Sequence, residues 1–178
     1  HQVACGQLKL DDGSYLSIEN NRLGALVELL EDYPGKVIIW ATYRRTLEDV
    51  VKTLKEKFGE ESTAGYYGGT SDEERRVAVQ DFQDPEAKLK YFVGNPQSAG
   101  YGLTLTAASL VIYYSNGYNL EHRLQSEDRN HRIGQTEKVT YIDFVSPGTI
   151  DERILEVLRD KRSLAHEIMT GNGLIDWL

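Results

Sequence analysis

The chain of 178 residues is short of sulfur-containing and metal-binding side chains. It has one cysteine, Cys5, and four histidines. A lone cysteine excludes an internal disulfide, so we expect a reducing, cytosolic compartment by default. The same shortage argues against a structural zinc site, and we predict no metal site. No apolar run approaches the roughly 18 residues of a membrane-spanning helix, and the N-terminus has no signal-peptide core, so we predict no membrane partner.

Methionine is equally scarce. Met169 is the only one, and residue 1 is a histidine. The chain therefore does not begin at a start codon, and we expect it to be a piece of a larger protein or a processed chain.

Positive charge is in deficit as well. Lys and Arg number 20 against 28 Asp and Glu, which gives a net charge of −8. Nucleic-acid-binding proteins usually carry a basic surface, so this balance favours plain solubility. Because contacts with phosphates are local, the negative net charge does not exclude a basic strip that binds nucleic acid.

Short apolar runs alternate with helical patterns along the chain. The runs are near-continuous, as in strands buried on both faces, and lie at 36–40, 64–68, 90–94, 110–115 and 139–145. Apolar residues at helical spacing predict helices over 21–33, 44–59, 71–82, 119–130 and 149–169. Ser71 with Glu74, and Thr149 with Glu152, predict capping boxes. This alternation predicts an α/β fold with a mainly parallel sheet and helices on both faces.

A phosphate-binding loop of the form G-x-x-x-x-G-K-[ST] is missing. The stretch "GYYGGTS" (65–71) is glycine-rich but has no lysine, and a strand that runs into a capped helix explains it equally well. In "SAGYGLTLT" (98–106), Gly100 and Gly102 would let the backbone approach a ligand or a neighbouring lobe. A glycine pair by itself leaves an ordinary turn equally open.

The stretch "LQSEDRNHRIGQ" (124–135) concentrates charge and amides in twelve residues. On a helix that begins behind Asn119, Gln125 and Arg129 lie four residues apart on one face, and Arg132 follows three residues later. Guanidinium groups suit phosphate oxygens through paired hydrogen bonds and permanent charge. Spacing alone leaves a set of surface ion pairs, such as Arg129 with Gln125 or Glu127, equally open.

The order of several motifs resembles one known family. "QSEDRNHRIGQ" is similar to the last signature of the Swi/Snf-type ATPases of helicase superfamily two, which reads like Q-A-x-D-R-x-H-R-I-G-Q. Four further stretches resemble, in order, the rest of that family's second RecA-like lobe over about residues 20–168: "KVIIWATYRRTLEDVVKTL", "YYGGTSDEERRVAVQDFQ", "SAGYGLTLTAASLVIYYSNGYNLEHRLQSEDR" and "TIDERILEVLRDKRSL". Ser98, Ala99 and Thr104 depart from the family pattern, which usually has Ala, Gly and Asn there.

The resemblance implies a RecA-like three-layer sandwich that is half of an ATP-hydrolysing motor. ATP with Mg²⁺ would be held mainly by a first lobe outside this chain, which explains the missing lysine loop. Arg129 and Arg132 would be the arginine fingers at the γ-phosphate. Gln125, with Gly100 and Gly102, would line the nucleotide cleft.

The resemblance also implies a DNA contact and a division of the chain. Candidates for contact with DNA phosphates, by motif position, are Thr42, Arg44, Gly69, Thr70 and Thr106. Residues 1–20 would be an irregular lead-in with a turn at 11–13, residues 21–170 the helicase C-terminal domain, and residues 171–178 a tail. The acidic balance would then belong to the outer surfaces.

The expected partners are duplex or branched DNA and the N-terminal RecA-like lobe of the same protein. The isolated chain would be monomeric and would not hydrolyse ATP. The residue pattern at 113–129 is most similar to small phage or bacterial members of the family. Such a member would be nucleoid-associated, whereas a eukaryotic member would be nuclear. A non-catalytic nucleic-acid-binding or regulatory module that kept the fold is the main alternative, and a transferase that holds nucleotide-sugar phosphates through the two arginines is a second.

Overall fold

The computed structural model describes residues 2–18, 21–98, 103–130, 135 and 137–170. Within these ranges, helices and strands alternate from α1 to β5 and again from β6 to α5, and β6 follows β5 without a described helix between them, as the apolar pattern predicted. The elements in chain order are β1 (Gln7–Lys9), β2 (Tyr15–Ser17), α1 (Arg22–Glu31), β3 (Lys36–Trp40), α2 (Arg44–Phe58), β4 (Thr63–Tyr66), α3 (Asp72–Gln83), β5 (Tyr91–Gly94), β6 (Ala108–Tyr113), α4 (Leu120–Glu127), β7 (Thr140–Asp143) and α5 (Ile150–Thr170).

Five parallel strands form the central sheet of the described chain, in the order β4-β5-β3-β6-β7. β3 lies in the middle, and its side chains alternate between two apolar layers. Val37 and Ile39 pack towards α1 and α2, whereas Ile38 and Trp40 pack towards α3. A strand covered on both sides has no polar face, which explains the unbroken run "KVIIW".

Two further helices complete the three layers. Tyr113 at the end of β6 shares a 2.6 Å hydroxyl–hydroxyl hydrogen bond with Ser126, which places α4 on the same side of the sheet as α3. α5 follows β7 at the edge and buries Ile154 and Leu158. The predicted α/β sandwich with helices on both faces is therefore confirmed.

The helix ends agree with one predicted capping box and differ at the other. Ser71 accepts from the amide of Glu74, and the Glu74 carboxylate accepts from the amide of Ser71. The Thr149 hydroxyl instead accepts from the amide of Asp151 at 3.3 Å. The Asp151 carboxylate reaches back to the amide of Ser146, because this acid lies one position earlier than the expected one.

Residues 2–18 are more regular than predicted. β1 and β2 form a short antiparallel hairpin, and Gly13 in the predicted turn has a φ of +84°. Gln7 attaches the hairpin to α2 by donating to the Asp49 carboxylate at 2.5 Å. Three-residue strands carry too little alternation for the sequence to reveal them. The predicted tail at 171–178 lies outside the described residues.

Candidate functional site

The carboxyl ends of the central strands form a polar edge around Thr42. The Thr42 amide donates to the Ser115 hydroxyl at 2.9 Å, and its hydroxyl donates to the Ser115 carbonyl at 3.3 Å. Asn95, which follows β5, donates to the Thr42 carbonyl at 2.8 Å. A cavity of about 80 Å³ lies here, and Gln97 and His122 also line it. Open α/β sheets bind ligands at this edge.

Three other predicted contact residues meet beside the same edge. Gly69, in the loop after β4, has a φ of +108°, and a Cβ built on it would lie 3.0 Å from a guanidinium nitrogen of Arg44. Thr70 follows directly and donates its hydroxyl to the Tyr67 carbonyl at 2.8 Å. Arg44 itself is exposed and pairs with Glu48 at 2.9 Å. The structure thus brings Arg44, Gly69 and Thr70 into one patch.

Arg75 belongs to this patch and was missed from the sequence. Its guanidinium donates to the Thr70 hydroxyl at 3.1 Å and to the Tyr67 carbonyl at 3.0 Å, and lies 5.4 Å from the centre of the Tyr66 ring. Side chains of a first helical turn point back toward the helix N-terminus, and this direction was the signal available in "SDEERR".

Thr106 lies at the opposite ends of the strands, where they begin, which we call the amino edge of the sheet. It precedes β6, and Gln83 at the end of α3 donates to its hydroxyl at 3.1 Å. Because Thr42 contacts Ser115 beyond the end of β6, the whole of β6, six residues or roughly 20 Å of strand, lies between Thr106 and Thr42. The structure therefore does not bring Thr106 together with the other four predicted DNA contacts.

Arg129 lies at this amino edge, directly beyond α4. Its carbonyl accepts from the amide of Leu105 at 2.8 Å, and Gln135 donates to the carbonyls of Thr106 and Ala108 at 3.0 and 2.9 Å. Arg129 is only 6% exposed in this lobe. Gln125, one turn earlier, donates to the Glu121 carboxylate at 2.8 Å. The predicted site residues Arg132, Gly100 and Gly102 lie outside the described residues.

A buried charge network around Arg123 was also missed. The Arg123 guanidinium lies 3.4 Å from the centre of the Tyr113 ring and donates to Glu127 at 2.7 Å and to Asp143 at 2.5 Å. Burial acts to lower the pKa of Arg123, but hydrogen bonds to Asp143 and the charges around it raise the pKa overall. The spacing of four between Arg123 and Glu127 was visible in the sequence, whereas the approach of Asp143 on β7 was not.

Negative charge gathers elsewhere on the lobe. A groove of about 630 Å³ runs beside the edge strand β4 and the first turns of α3, and its acidic lining consists of Glu60, Glu61, Glu73, Glu74, Asp81 and Glu86. The net charge of −8 therefore coexists with the arginines at the polar edge.

Within the described ranges, no cluster of three or more His, Cys, Asp or Glu side chains is arranged to hold a metal ion. Among the helices of those same ranges, none has the length and apolar character needed to cross a membrane.

Residues 21–134 match the helicase conserved C-terminal domain, so the match includes the polar edge, α4 and Arg129. The chain belongs to this family. Its relatives further place it among the C-terminal lobes of the Swi/Snf type, which confirms the resemblance drawn from the motifs.

Three curated relatives illustrate the likeness. Helicase SWR1 of Cryptococcus neoformans var. neoformans is 30% identical over 178 residues, which cover 96% of this chain and 14% of the relative. The chromatin-remodeling ATPase INO80 of Sclerotinia sclerotiorum is 38% identical over 165 residues, or 93% of this chain and 8% of the relative. Human INO80 is 36% identical over 106 residues, which cover 60% of this chain and 7% of the relative. The chain thus spans only a small part of these relatives.

A solved structure supports the fold. The crystal structure of the C-terminal part of the Fun30 ATPase domain superposes with a TM-score of 0.69 and 23% identity, covering 80% of this chain and 48% of that one. The predicted RecA-like architecture of this helicase C-terminal domain is confirmed.

Proposed function

We propose that this chain is the second RecA-like lobe of a DNA-dependent ATPase that translocates on DNA. The observation that carries the proposal is the position of Arg129 and Gln135 in the described part of the motif at 125–135. Both lie beyond α4 at the amino edge, where the Arg129 carbonyl accepts from the Leu105 amide and Gln135 donates to the carbonyls of Thr106 and Ala108 at the start of β6. The names of the relatives, which are a helicase and chromatin-remodeling ATPases, support the same activity in the full-length protein.

ATP would lie between this lobe and the N-terminal lobe of the same protein, which would hold most of the nucleotide and Mg²⁺. Arg129 and Arg132 would face the γ-phosphate, where an arginine can contribute about 10³–10⁵ in rate by stabilising charge that develops in transfer. Because Arg129 is only 6% exposed in this lobe, we assign the direct contact with the γ-phosphate to Arg132 in preference to Arg129. Gln125, Gly100 and Gly102 would border the nucleotide.

DNA would run across the carboxyl edge of the sheet. Thr42, Arg44, Gly69 and Thr70 lie there, with Arg75 behind them, and they offer hydroxyls, backbone and cations of the kind that contact phosphates. Such contacts are independent of sequence, as a motor that steps along DNA requires. Thr106 was predicted with them but lies at the opposite edge, beside the arginine segment.

The proposed setting follows from the relatives. The three described above are eukaryotic, and two are chromatin-remodeling ATPases, which favours a nuclear protein acting on duplex DNA over a phage or bacterial one. Branched DNA remains a second substrate to test. We expect the isolated lobe to be monomeric and to lack ATPase activity, because half of the proposed site is supplied by the other lobe.

ATP hydrolysis by the full-length parent tests the proposal, with and without duplex DNA. We expect DNA to stimulate turnover and Arg132→Ala to reduce it by about 10³-fold or more, with DNA affinity unchanged. Arg153→Ala is the control, because this arginine is exposed on α5 and pairs with Glu156 on the same helix. Intact turnover in Arg132→Ala would refute the assignment. DNA binding without any turnover would favour a non-catalytic module instead, and turnover by the 178-residue chain alone would contradict the two-lobe site.

The DNA path has its own test. Arg44→Ala should weaken binding of the parent to duplexes of any sequence and lower the dependence of log K on log salt by about 1. Thr106→Ala is the matched variant from the opposite edge and should leave DNA affinity within twofold. A larger loss in Thr106→Ala than in Arg44→Ala would move the proposed path away from the carboxyl edge.

A further inference from the structure

Two neighbouring side chains of α5 contact the two ends of α4. Upstream of them, Ile154 and Leu158 are buried. Lys161 then donates to the Tyr118 carbonyl at 2.9 Å, just before α4 begins. Arg162, the next residue, donates to the Glu127 carboxylate at 2.5 Å, where α4 ends.

Beyond Arg162, α5 presents exposed apolar side chains. Its side chains Leu164 and Ile168 are each 58% exposed, and Met169 is 86% exposed. The described part of α5 therefore has a first half that is buried on the lobe and a second half with exposed apolar side chains, and Lys161 and Arg162 lie between the two.

Glu127 is the residue that receives the contact of Arg162. Its side chain is 13% exposed, and its carboxylate is shared between two cations from different elements. One oxygen accepts from Arg123 on α4 at 2.7 Å, and the other accepts from Arg162 on α5. The Glu127 carbonyl also accepts from the Tyr141 hydroxyl at 3.4 Å. Glu127 thus attaches the end of α4 both to α5 and to β7.

Arg129 follows Glu127 by two residues. Between them, the Asp128 amide donates to the Leu124 carbonyl at 3.0 Å, so the helical hydrogen bonding continues up to the arginine. α4 is only eight residues, or about 12 Å, long. A short helix moves as a unit, and a displacement at Glu127 is therefore passed to Arg129.

We propose that Arg162 is a positioning residue for the arginine segment: through Glu127 it sets where α4 ends, and α5 acts as a lever on turnover. This inference rests on the proposed ATPase function. Without Arg162, Glu127 keeps only Arg123, and that guanidinium also serves Asp143 and Asn116. The end of α4 then loses its attachment to α5 while the core contacts of α5 remain.

The experiment compares Arg162→Ala, Arg162→Lys and the control Arg153→Ala in the full-length parent. Arg162 and Arg153 are similarly exposed, at 56% and 62% of the side chain, but only Arg162 reaches α4. Hydrogen exchange of the backbone amides at 124–130 should be faster in Arg162→Ala than in the control. At saturating DNA, kcat should fall about three- to tenfold with the KM for ATP within twofold, since misplacement near 1 Å can cost up to about 10² in rate. Arg162→Lys should retain most of the activity.

Two outcomes would overturn the inference. The first is exchange and kcat in Arg162→Ala that match those of Arg153→Ala. The second is a joint change in melting temperature, KM and DNA affinity, which would indicate a general loss of stability. Arg132→Ala, measured in parallel, separates the two hypotheses. If it loses turnover while Arg162→Ala behaves like the control, the lever fails and the ATPase assignment stands; if it keeps turnover, the ATPase assignment fails first.

Discussion

The buried ion pair between Arg22 and Asp151 allows a quantitative prediction about stability. The two side chains join α1 to the start of α5 and are 7% and 5% exposed. Arg22 also donates to the Tyr114 carbonyl at 2.7 Å and to the Ser146 hydroxyl at 3.1 Å. The Asp151 carboxylate also accepts from the Ser146 amide. Asp151→Ala would remove the buried counter-charge seen here and leave the Arg22 guanidinium in a largely dry site.

The expected loss follows from burial. Removal of one partner of a buried pair costs about 3–5 kcal/mol, because the remaining charge stays desolvated. An exposed pair contributes about 0–1 kcal/mol. Since domains are stable by about 5–15 kcal/mol, Asp151→Ala should remove about a fifth of the stability or more. Replacement of both partners by apolar residues, as in Arg22→Met with Asp151→Leu, should cost less than the single change.

Urea unfolding of the 178-residue chain, followed by circular dichroism, measures these differences. The matched control is Glu48→Ala, which breaks the exposed i,i+4 pair with Arg44 on α2. A change below about 1 kcal/mol in Asp151→Ala, equal to that of Glu48→Ala, would refute the argument from burial. A double variant less stable than Asp151→Ala would show that the hydrogen bonds of Arg22, rather than its charge, dominate.

Three further predictions concern local features. Ser71→Ala removes the capping box of α3 and should lower the free energy of unfolding by about 1 kcal/mol in the same urea assay, whereas an unchanged midpoint would contradict it. Gly94→Ala would place a Cβ 2.8 Å from the Trp40 ring and 3.1 Å from the Tyr66 carbonyl. The melting temperature should therefore fall by an amount equivalent to about 1–3 kcal/mol. A rise in melting temperature would mean that the strands can separate to make room. Burial raises the pKa of the Cys5 thiol, so the folded chain keeps its proton where the unfolded chain loses it, and stability should decline as pH rises through the unfolded value near 9. Iodoacetamide at pH 8 should accordingly label Cys5 far more slowly in the folded chain than in urea, and equal rates would contradict its burial.

Much of the fold could be predicted because its signals are local. "KVIIW" is unbroken because β3 lies in the centre of the sheet, and Ser71 with Glu74 announces the start of α3 within four residues. The hairpin of β1 and β2 was not predicted, because strands of three residues are too short to show an alternating pattern in the sequence. The predicted capping box of Thr149 with Glu152 was wrong, because Asp151, rather than Glu152, supplies the acid at the start of α5.

The sequence by itself determined the order of elements, the family and the residue types of the candidate site, since each depends on neighbours along the chain. Only the tertiary structure decided which of those residues meet. Sheet order and strand direction place Thr42 and Thr106 at opposite edges, although both follow family motifs. Arg22 and Asp151 pair across 129 positions. Arg162 reaches Glu127 across 35 because α5 packs against α4, and no local periodicity records such a distance.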